Sequence, residues 1–390
     1  MTRLPAGRFL DAMIDGVCDP RFAAVHEAFA QNFAERGEVG AAVAISVDGR
    51  PVVDLWGGWA DAARRTPWRS DTLVNFFSVG KGLSAVCVHR LVERGRLDLD
   101  APIARYWPGF ATAGKDGISL RDVLSHRAGV PSVAAPLADG TMLDWEAMVR
   151  ALEAQPPWWT PGTAHGYHVN TFGYLVGEVV RRVTGATLGA LLRAEIAGPL
   201  GADVHIGLPV AEHHRVADFL WPPGAPGERP ADLAGDELMR WNAYWNPRGL
   251  SGAGWVNEPA WRSAEMPSTN GHGTARGVAR VYAALAAGGT INGVHVLAPS
   301  VLEAAVVEQA AGTDRVTGKP AHFALGFQLT QPERPLGPNA GAFGHFGAGG
   351  SLGFCDPAAR LAFGYVMNDM GPRWVSPRAR ALVDAVYACL

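Results

Sequence analysis

Phe22, Val25, His26, Phe29 and Phe33 share one helical stripe, and Gly37 offers a stop, so the spacing predicts a helix ending near Arg36. Residues 39–47 then read as a strand and residues 51–59 as its antiparallel return, joined by the hairpin dipeptide Asp48-Gly49. From Ser78 the period lengthens. Val79, Leu83, Val86, Cys87 and Leu91 recur at helical spacing up to Gly95, with polar residues gathered only near Arg90 and Glu93-Arg94, the pattern of a largely buried helix. Residues 118–126 predict a short helix capped by Ser119, and residues 145–155 one stopped by Pro156-Pro157. Residues 171–183 (to Gly185), 187–197 (to Gly198-Pro199) and 274–287 (to Gly288-Gly289) predict three more. Between Pro209 and Glu265 no period holds and Pro, Gly and Trp abound, so this stretch reads as mostly loop, of the length that lines functional sites. Strand patterns return at 323–329, 343–347, 351–355 and 361–367, with Asp356-Pro357 turning the last pair. Residues 377–389 close the chain as a helix with Ser376 as cap and Pro377 in the first helical position.

Strands at both ends and helices between them predict an α+β fold. One sheet is assembled from residues 1–80 and 290–390, a mostly helical insertion spans 81–289, and a cleft lies at the join. No internal repeat or low-complexity tract interrupts it. At 48% apolar and 18% charged residues, a chain of 390 residues can bury a sizeable core. Its net charge of −3, without a basic stripe, argues against nucleic acid as a partner. Cys18, Cys87, Cys355 and Cys389 are widely separated and fit free thiols of a reducing compartment. Acidic residues break the apolar run at residues 9–15, so it lacks a signal-peptide core, and no stretch is apolar enough to span a bilayer. The expectation is a cytoplasmic protein with no membrane partner and no cofactor; the sequence leaves its oligomeric state open.

Candidate chemistry begins where the first strands meet the long helix, at Ser78-Val79-Gly80-Lys81. Residues three apart share a helix face, so Ser78 and Lys81 would lie side by side. A serine hydroxyl is a weak nucleophile until its proton is taken, and a lysine kept neutral by burial can take it. The helix N-terminus adds unpaired backbone N–H groups where an oxyanion would form. The chain holds only three lysines, Lys81, Lys115 and Lys319, so a lysine here is not a generic surface cation. Two later stretches complete the pattern: Tyr167, after Pro161-Gly162 and ahead of a helix, and the glycine-rich strand His345-Phe346-Gly347-Ala348.

In this order, Ser-x-x-Lys, Tyr, then a strand ending in x-x-Gly, the chain resembles the serine β-lactamase and penicillin-binding-protein superfamily. The resemblance runs from about Val39 to Met367 and is nearest to the class C-like branch and, within it, the family VIII carboxylesterases. It implies an antiparallel sheet flanked by helices, with Ser78 as nucleophile, Lys81 helping to deprotonate it, and Tyr167 as base and then acid toward the leaving group. His345-Phe346-Gly347 would stand at the substrate-binding Lys-Thr-Gly position. The backbone N–H groups of Ser78 and Ala348 would form the oxyanion hole. The chain departs from the class C pattern in two places. Asn170 follows Tyr167 by three residues rather than two and takes no assigned role, with Tyr174 as the fallback base. The missing lysine at position 345 removes the cation that would hold a β-lactam or peptide carboxylate, which favours neutral esters of small to medium acyl chains. The alternative is a β-lactamase or D-amino-acid peptidase or amidase of the same fold. A non-enzymatic binding module is a further class of answer, which retention of Ser78, Lys81 and Tyr167 argues against.

Other motifs compete less well. Gly349-Gly350-Ser351-Leu352-Gly353 fits a Gly-x-Ser-x-Gly elbow, but a strand pattern follows it and no histidine does, so a Ser-acid-His order is impossible. His165, His168, His213 and His214 lack partners at metal-ligand spacing, so no metal is expected. Trp158, Trp159, Trp221, Trp241, Trp245 and Trp255 fall in loop-rich stretches and are candidates to line an apolar acyl pocket.

Overall fold

The computed structural model describes residues 14–222, 229–372 and 374–390. The signal-peptide reading rests on residues that lie mostly outside this range. A nine-stranded antiparallel sheet forms the frame. Its strands are β1 (Ile14–Cys18), β2 (Gly40–Val47), β3 (Arg50–Gly58), β4 (Ala310–Thr313), β5 (Pro320–Phe323), β6 (Gln328–Leu329), β7 (Phe343–Phe346), β8 (Leu352–Asp356) and β9 (Leu361–Met367). They lie in the order β1-β3-β2-β9-β8-β7-β6-β5-β4, so β2 and β9, from opposite ends of the sequence, are neighbours. Their register pairs Val43 with Tyr365 and Ala44 with Gly364. The β2–β3 turn is the one the sequence predicts: Asp48 and Gly49 both take positive φ, +53° and +73°, as a two-residue hairpin of this type requires.

Helices cover both faces, which is why every residue of β9 is buried. The principal ones are α1 (Ala23–Glu35), α2 (Val79–Glu93), α3 (Thr171–Thr184), α4 (Ala275–Ala286) and α5 (Pro377–Ala388). Gly364 faces Ala275 and Ala279 of α4, while the next residue, Tyr365, points to the opposite face and donates its hydroxyl to Glu38. Arg378 of α5 meets the same carboxylate at 2.9 Å. Predicted caps recur: Ser376 accepts from the Ala379 amide, and Ser119 and Asp122 form a reciprocal capping box. All four cysteines are unpaired. No helix among the described residues is long and apolar enough to cross a membrane.

Four readings need correction. Residues 323–329 are not one strand: β5 ends at Phe323, the chain reverses with Gly326 at φ +89°, and β6 starts at Gln328. The apolar run is buried because Leu325 and Phe327 pack beside His89 of α2, not because it is extended. The 209–265 stretch contains a helix at Gly235–Trp245, whose buried stripe is only Met239, Asn242 and Ala243, too narrow to register as a period. It also holds short turns of helix at Val210–Arg215 and Pro259–Ser263. Residues 187–197 do not stop at Gly198-Pro199: a π turn at Arg193–Ala197 leads into a further turn, ended by Gly201 at φ +58°. Finally, β1 and β4 add edge strands whose mostly exposed residues give no alternation to read.

Candidate active site

Ser78 sits where a short strand, Val74–Asn75, runs into α2. That approach is pinned from one side: the Phe76 amide donates to the Gly271 carbonyl at 2.8 Å, and Asn75 Nδ2 to the Thr269 carbonyl at 3.0 Å. Phe77 turns the chain into the helix at φ +51°, a left-handed conformation that costs a non-glycine residue about 1 kcal/mol or more. Its ring is held edge-on to Phe219 at 4.8 Å. Ser78 then enters helical geometry (φ −66°, ψ −6°), and its side chain makes no capping bond. The hydroxyl instead lies 3.0 Å from Lys81 Nζ, one helical turn on.

Lys81 is fully buried, with no carboxylate of the described residues paired to it. Its Nζ has two other neighbours, both backbone carbonyls: Val169 at 2.6 Å and Ser268 at 3.1 Å. Close packing brings the second one in. Gly80 on α2 and Gly173 on α3 both abut Pro267-Ser268, and a Cβ would lie 2.7 Å from the Pro267 oxygen at the first and 2.5 Å from the Ser268 amide at the second. Burial alone holds the Lys81 amine well below its ordinary pKa.

Tyr167 completes the cluster. Its ring lies 4.7 Å from Lys81 Nζ, is stacked on Phe323 at 5.9 Å and meets the edge of His126 at 4.9 Å. The loop carrying it is fixed by hydrogen bonds: the His168 amide donates to His126 Nδ1, and the Val130 amide to His168 Nε2, both at 3.1 Å. Burial pushes the Tyr167 phenol up, with a hydrogen bond to Ser78 acting in the opposite direction. Burial likewise pushes His168 down to about 3, and pushes His126 and His345 well below the usual histidine range.

Ser78 and Tyr167 open onto a cleft together with Phe346, Gly347 and Ala348. His345 is not on that wall. It is buried behind it, 6.0 Å from the Tyr167 ring, with Nδ1 against the Phe346 carbonyl. The fallback base Tyr174 is also remote: it is buried on α3, with its hydroxyl donating to the Met142 carbonyl at 2.7 Å. Asn170 reaches the cleft, but its amide binds Ala243 and Ser251 and its oxygen accepts from Thr269. Ser351 is fully buried, donates to the Phe76 carbonyl at 2.8 Å and precedes a strand, so it is no nucleophile elbow. Of the six tryptophans proposed for the pocket, only Trp221 lines it. Trp158 and Trp159 instead donate to the Ser132 and Ala164 carbonyls.

Sequence reasoning missed the carbonyls of Val169 and Ser268, His126, Trp374 and Arg334. A carbonyl has no residue signature. His126 carried one weak signal, its place at the end of a predicted helix, where it takes φ +61°. Arg334 lines the cleft from the loop after β6, with its guanidinium carbon 3.7 Å from the Phe346 ring centroid.

Comparison with known proteins bears on the family and the fold. The model of the Beta-lactamase family matches residues 25–388. The esterase/beta-lactamase LipL of Mycobacterium tuberculosis is 37% identical over 361 residues, covering 90% of this chain and 82% of LipL. The crystal structure of a family VIII carboxylesterase superposes with a TM-score of 0.89 at 42% identity, covering 97% of this chain and 100% of the other. A penicillin-binding-protein homologue from Caulobacter crescentus gives 0.88 at 42% identity, with the same coverage. The chain belongs to the beta-lactamase family of serine hydrolases.

Proposed function

We propose that the protein is a carboxylesterase that forms an acyl-enzyme on Ser78. The observation that carries this reading is the setting of Lys81 Nζ. A neutral amine has two N–H donors and one lone pair. The carbonyls of Val169 (2.6 Å) and Ser268 (3.1 Å) take the donors, which leaves the lone pair for the Ser78 hydroxyl at 3.0 Å. Burial favours that neutral form. The Tyr167 phenol, pushed the other way, stays protonated and suits proton donation better than proton removal.

In this reading Ser78 Oγ attacks the ester carbonyl carbon as its proton passes to Lys81. The oxyanion rests against the backbone N–H groups of Ser78 and Ala348. As the ester C–O bond breaks, the leaving alkoxide takes the Tyr167 proton, and the Lys81 ammonium, 4.7 Å from that ring, restores it. Water then attacks the acyl carbon and gives a proton to Lys81; as the acyl–Oγ bond breaks, Ser78 Oγ takes a proton back from this relay, and the acid is released. The apolar walls from Phe77, Trp221 and Phe323 suit the acyl chain of a small to medium ester. Turnover of p-nitrophenyl esters of increasing length beside nitrocefin, for the wild type and Ser78→Ala, tests the proposal. Ester hydrolysis lost in Ser78→Ala, with little nitrocefin turnover, is expected; nitrocefin turnover equal to the esters points to a β-lactamase.

A further inference from the structure

Ser78 and Lys81 are set by α2, but Tyr167 stands in the loop that precedes α3. The amides on either side of it both donate to one residue, His126. Gly166 N–H meets the His126 carbonyl at 3.0 Å, and His168 N–H meets His126 Nδ1 at 3.1 Å. His126 takes φ +61°, a left-handed conformation that histidine tolerates better than most side chains, and its carbonyl and its ring reach the same loop. The ring also meets Tyr167 edge-on at 4.9 Å. The tautomers follow from the partners. His126 Nδ1 accepts, so the neutral ring carries its proton on Nε2. His168 Nε2 accepts from the Val130 amide at 3.1 Å, so its Nδ1 carries the proton and donates to the Gly166 carbonyl at 2.7 Å. Four hydrogen bonds thus brace the residues flanking Tyr167. A proton on His126 Nδ1 would set a donor against a donor, and burial keeps both rings neutral.

We infer that His126 is the positioning residue for the Tyr167 proton, and that it sets how well the enzyme cleaves alkyl esters, whose leaving groups are poor. His126 is buried and lies off the cleft wall, so it acts through Tyr167 rather than on the substrate. As the ester C–O bond breaks, the Tyr167 proton passes to the leaving oxygen. An alkyl ester expels a strongly basic alkoxide, which needs that proton; a p-nitrophenyl ester expels a stable anion, which needs it far less. Displacement of the phenol by about 1 Å therefore penalises alkyl esters selectively. The inference rests on the esterase reading and deepens it.

The pair p-nitrophenyl butyrate and ethyl butyrate tests it. Both form the same butyryl-enzyme, so the ratio of their kcat/KM values, aryl over alkyl, reads acylation alone and cancels any general loss of active protein. His126→Leu has no side-chain acceptor. His126→Gln carries its oxygen one bond further out, whereas His126→Asn puts an oxygen where Nδ1 stands and tolerates positive φ. His126→Leu and His126→Gln should raise the ratio by roughly 10- to 100-fold, through loss of ethyl butyrate turnover, and His126→Asn should bring it back toward the wild-type value. In a Tyr167→Phe background, which already lacks the proton, His126→Leu should leave the ratio where it is. Should His126→Leu fail to fold, the contrast between Gln and Asn carries the same decision. A ratio that stays at the wild-type value without the acceptor, an Asn variant no nearer the wild type than Gln, or an equal rise in the Tyr167→Phe background overturns the inference while ester turnover itself stands. Absence of turnover of both esters in the wild type overturns this inference and the esterase reading together.

Discussion

Lys81→Met separates two consequences of one buried amine. Methionine is nearly isosteric and apolar, so it fills the space without a charge. The first consequence is catalytic: loss of a positioned general base costs about 10²- to 10⁴-fold in kcat/KM, or about 3–5 kcal/mol in the barrier. The second is a proton balance. In the unfolded chain a lysine titrates near 10.4, whereas burial holds Lys81 well below its usual range in the fold. Between those values the unfolded state binds one more proton than the native state. Stability from this group therefore rises with pH, at about 1.4 kcal/mol per unit, until the unfolded lysine loses its proton. Lys81→Met removes that slope and nothing else that titrates. The variant also strips donors from the Val169 and Ser268 carbonyls, which costs about 1–3 kcal/mol each if they stay dry. That penalty is constant with pH, so the slope can be read independently of it. Urea denaturation of both proteins at pH 7, 8 and 9 is the assay. The wild type should gain on the variant as pH rises across this range, by up to about 1.4 kcal/mol per unit. Parallel stability curves would mean a lysine charged in the native state and would refute the proton route from Ser78 to Lys81.

Two further substitutions separate the site from its surroundings. Tyr167→Phe should lower ester turnover by about 10²- to 10⁴-fold. Tyr174→Phe, which loses only the bond to the Met142 carbonyl, should cost about 1–3 kcal/mol in stability, read by urea denaturation, and leave kcat near wild type. Ser351→Ala removes the 2.8 Å bond that ties the Gly347–Ser351 segment to Phe76, two residues before Ser78. Because that bond joins the two segments proposed to supply the oxyanion N–H groups, kcat for p-nitrophenyl acetate should fall by about tenfold with KM little changed, the signature of a contact made in the transition state.

Much of this architecture could be read from local pattern. The Asp48-Gly49 turn, the caps at Ser119 and Ser376 and the buried stripe of α2 are consequences of a few adjacent residues. So is the pairing of Ser78 with Lys81, since helical spacing alone brings them together. The hairpin at Gly326 was hidden because apolar residues buried in a turn look like apolar residues buried in a strand. The environment of Lys81 was hidden more deeply. Val169 and Ser268 lie 88 and 187 residues away in sequence and contribute only main-chain oxygens. Arg334 was invisible for a related reason: it is stacked by the rings of Phe346 and Trp374, which only the assembled cleft brings beside it.

The central claim is that Ser78 becomes acylated during turnover. Wild-type enzyme mixed with p-nitrophenyl acetate, quenched in acid within milliseconds and digested, can be analysed by peptide mass spectrometry. One acetyl group is expected on the peptide containing Ser78, more persistent in Tyr167→Phe and absent in Ser78→Ala. Acetylation found instead at Ser351 or at another residue, with turnover intact in Ser78→Ala, would contradict it.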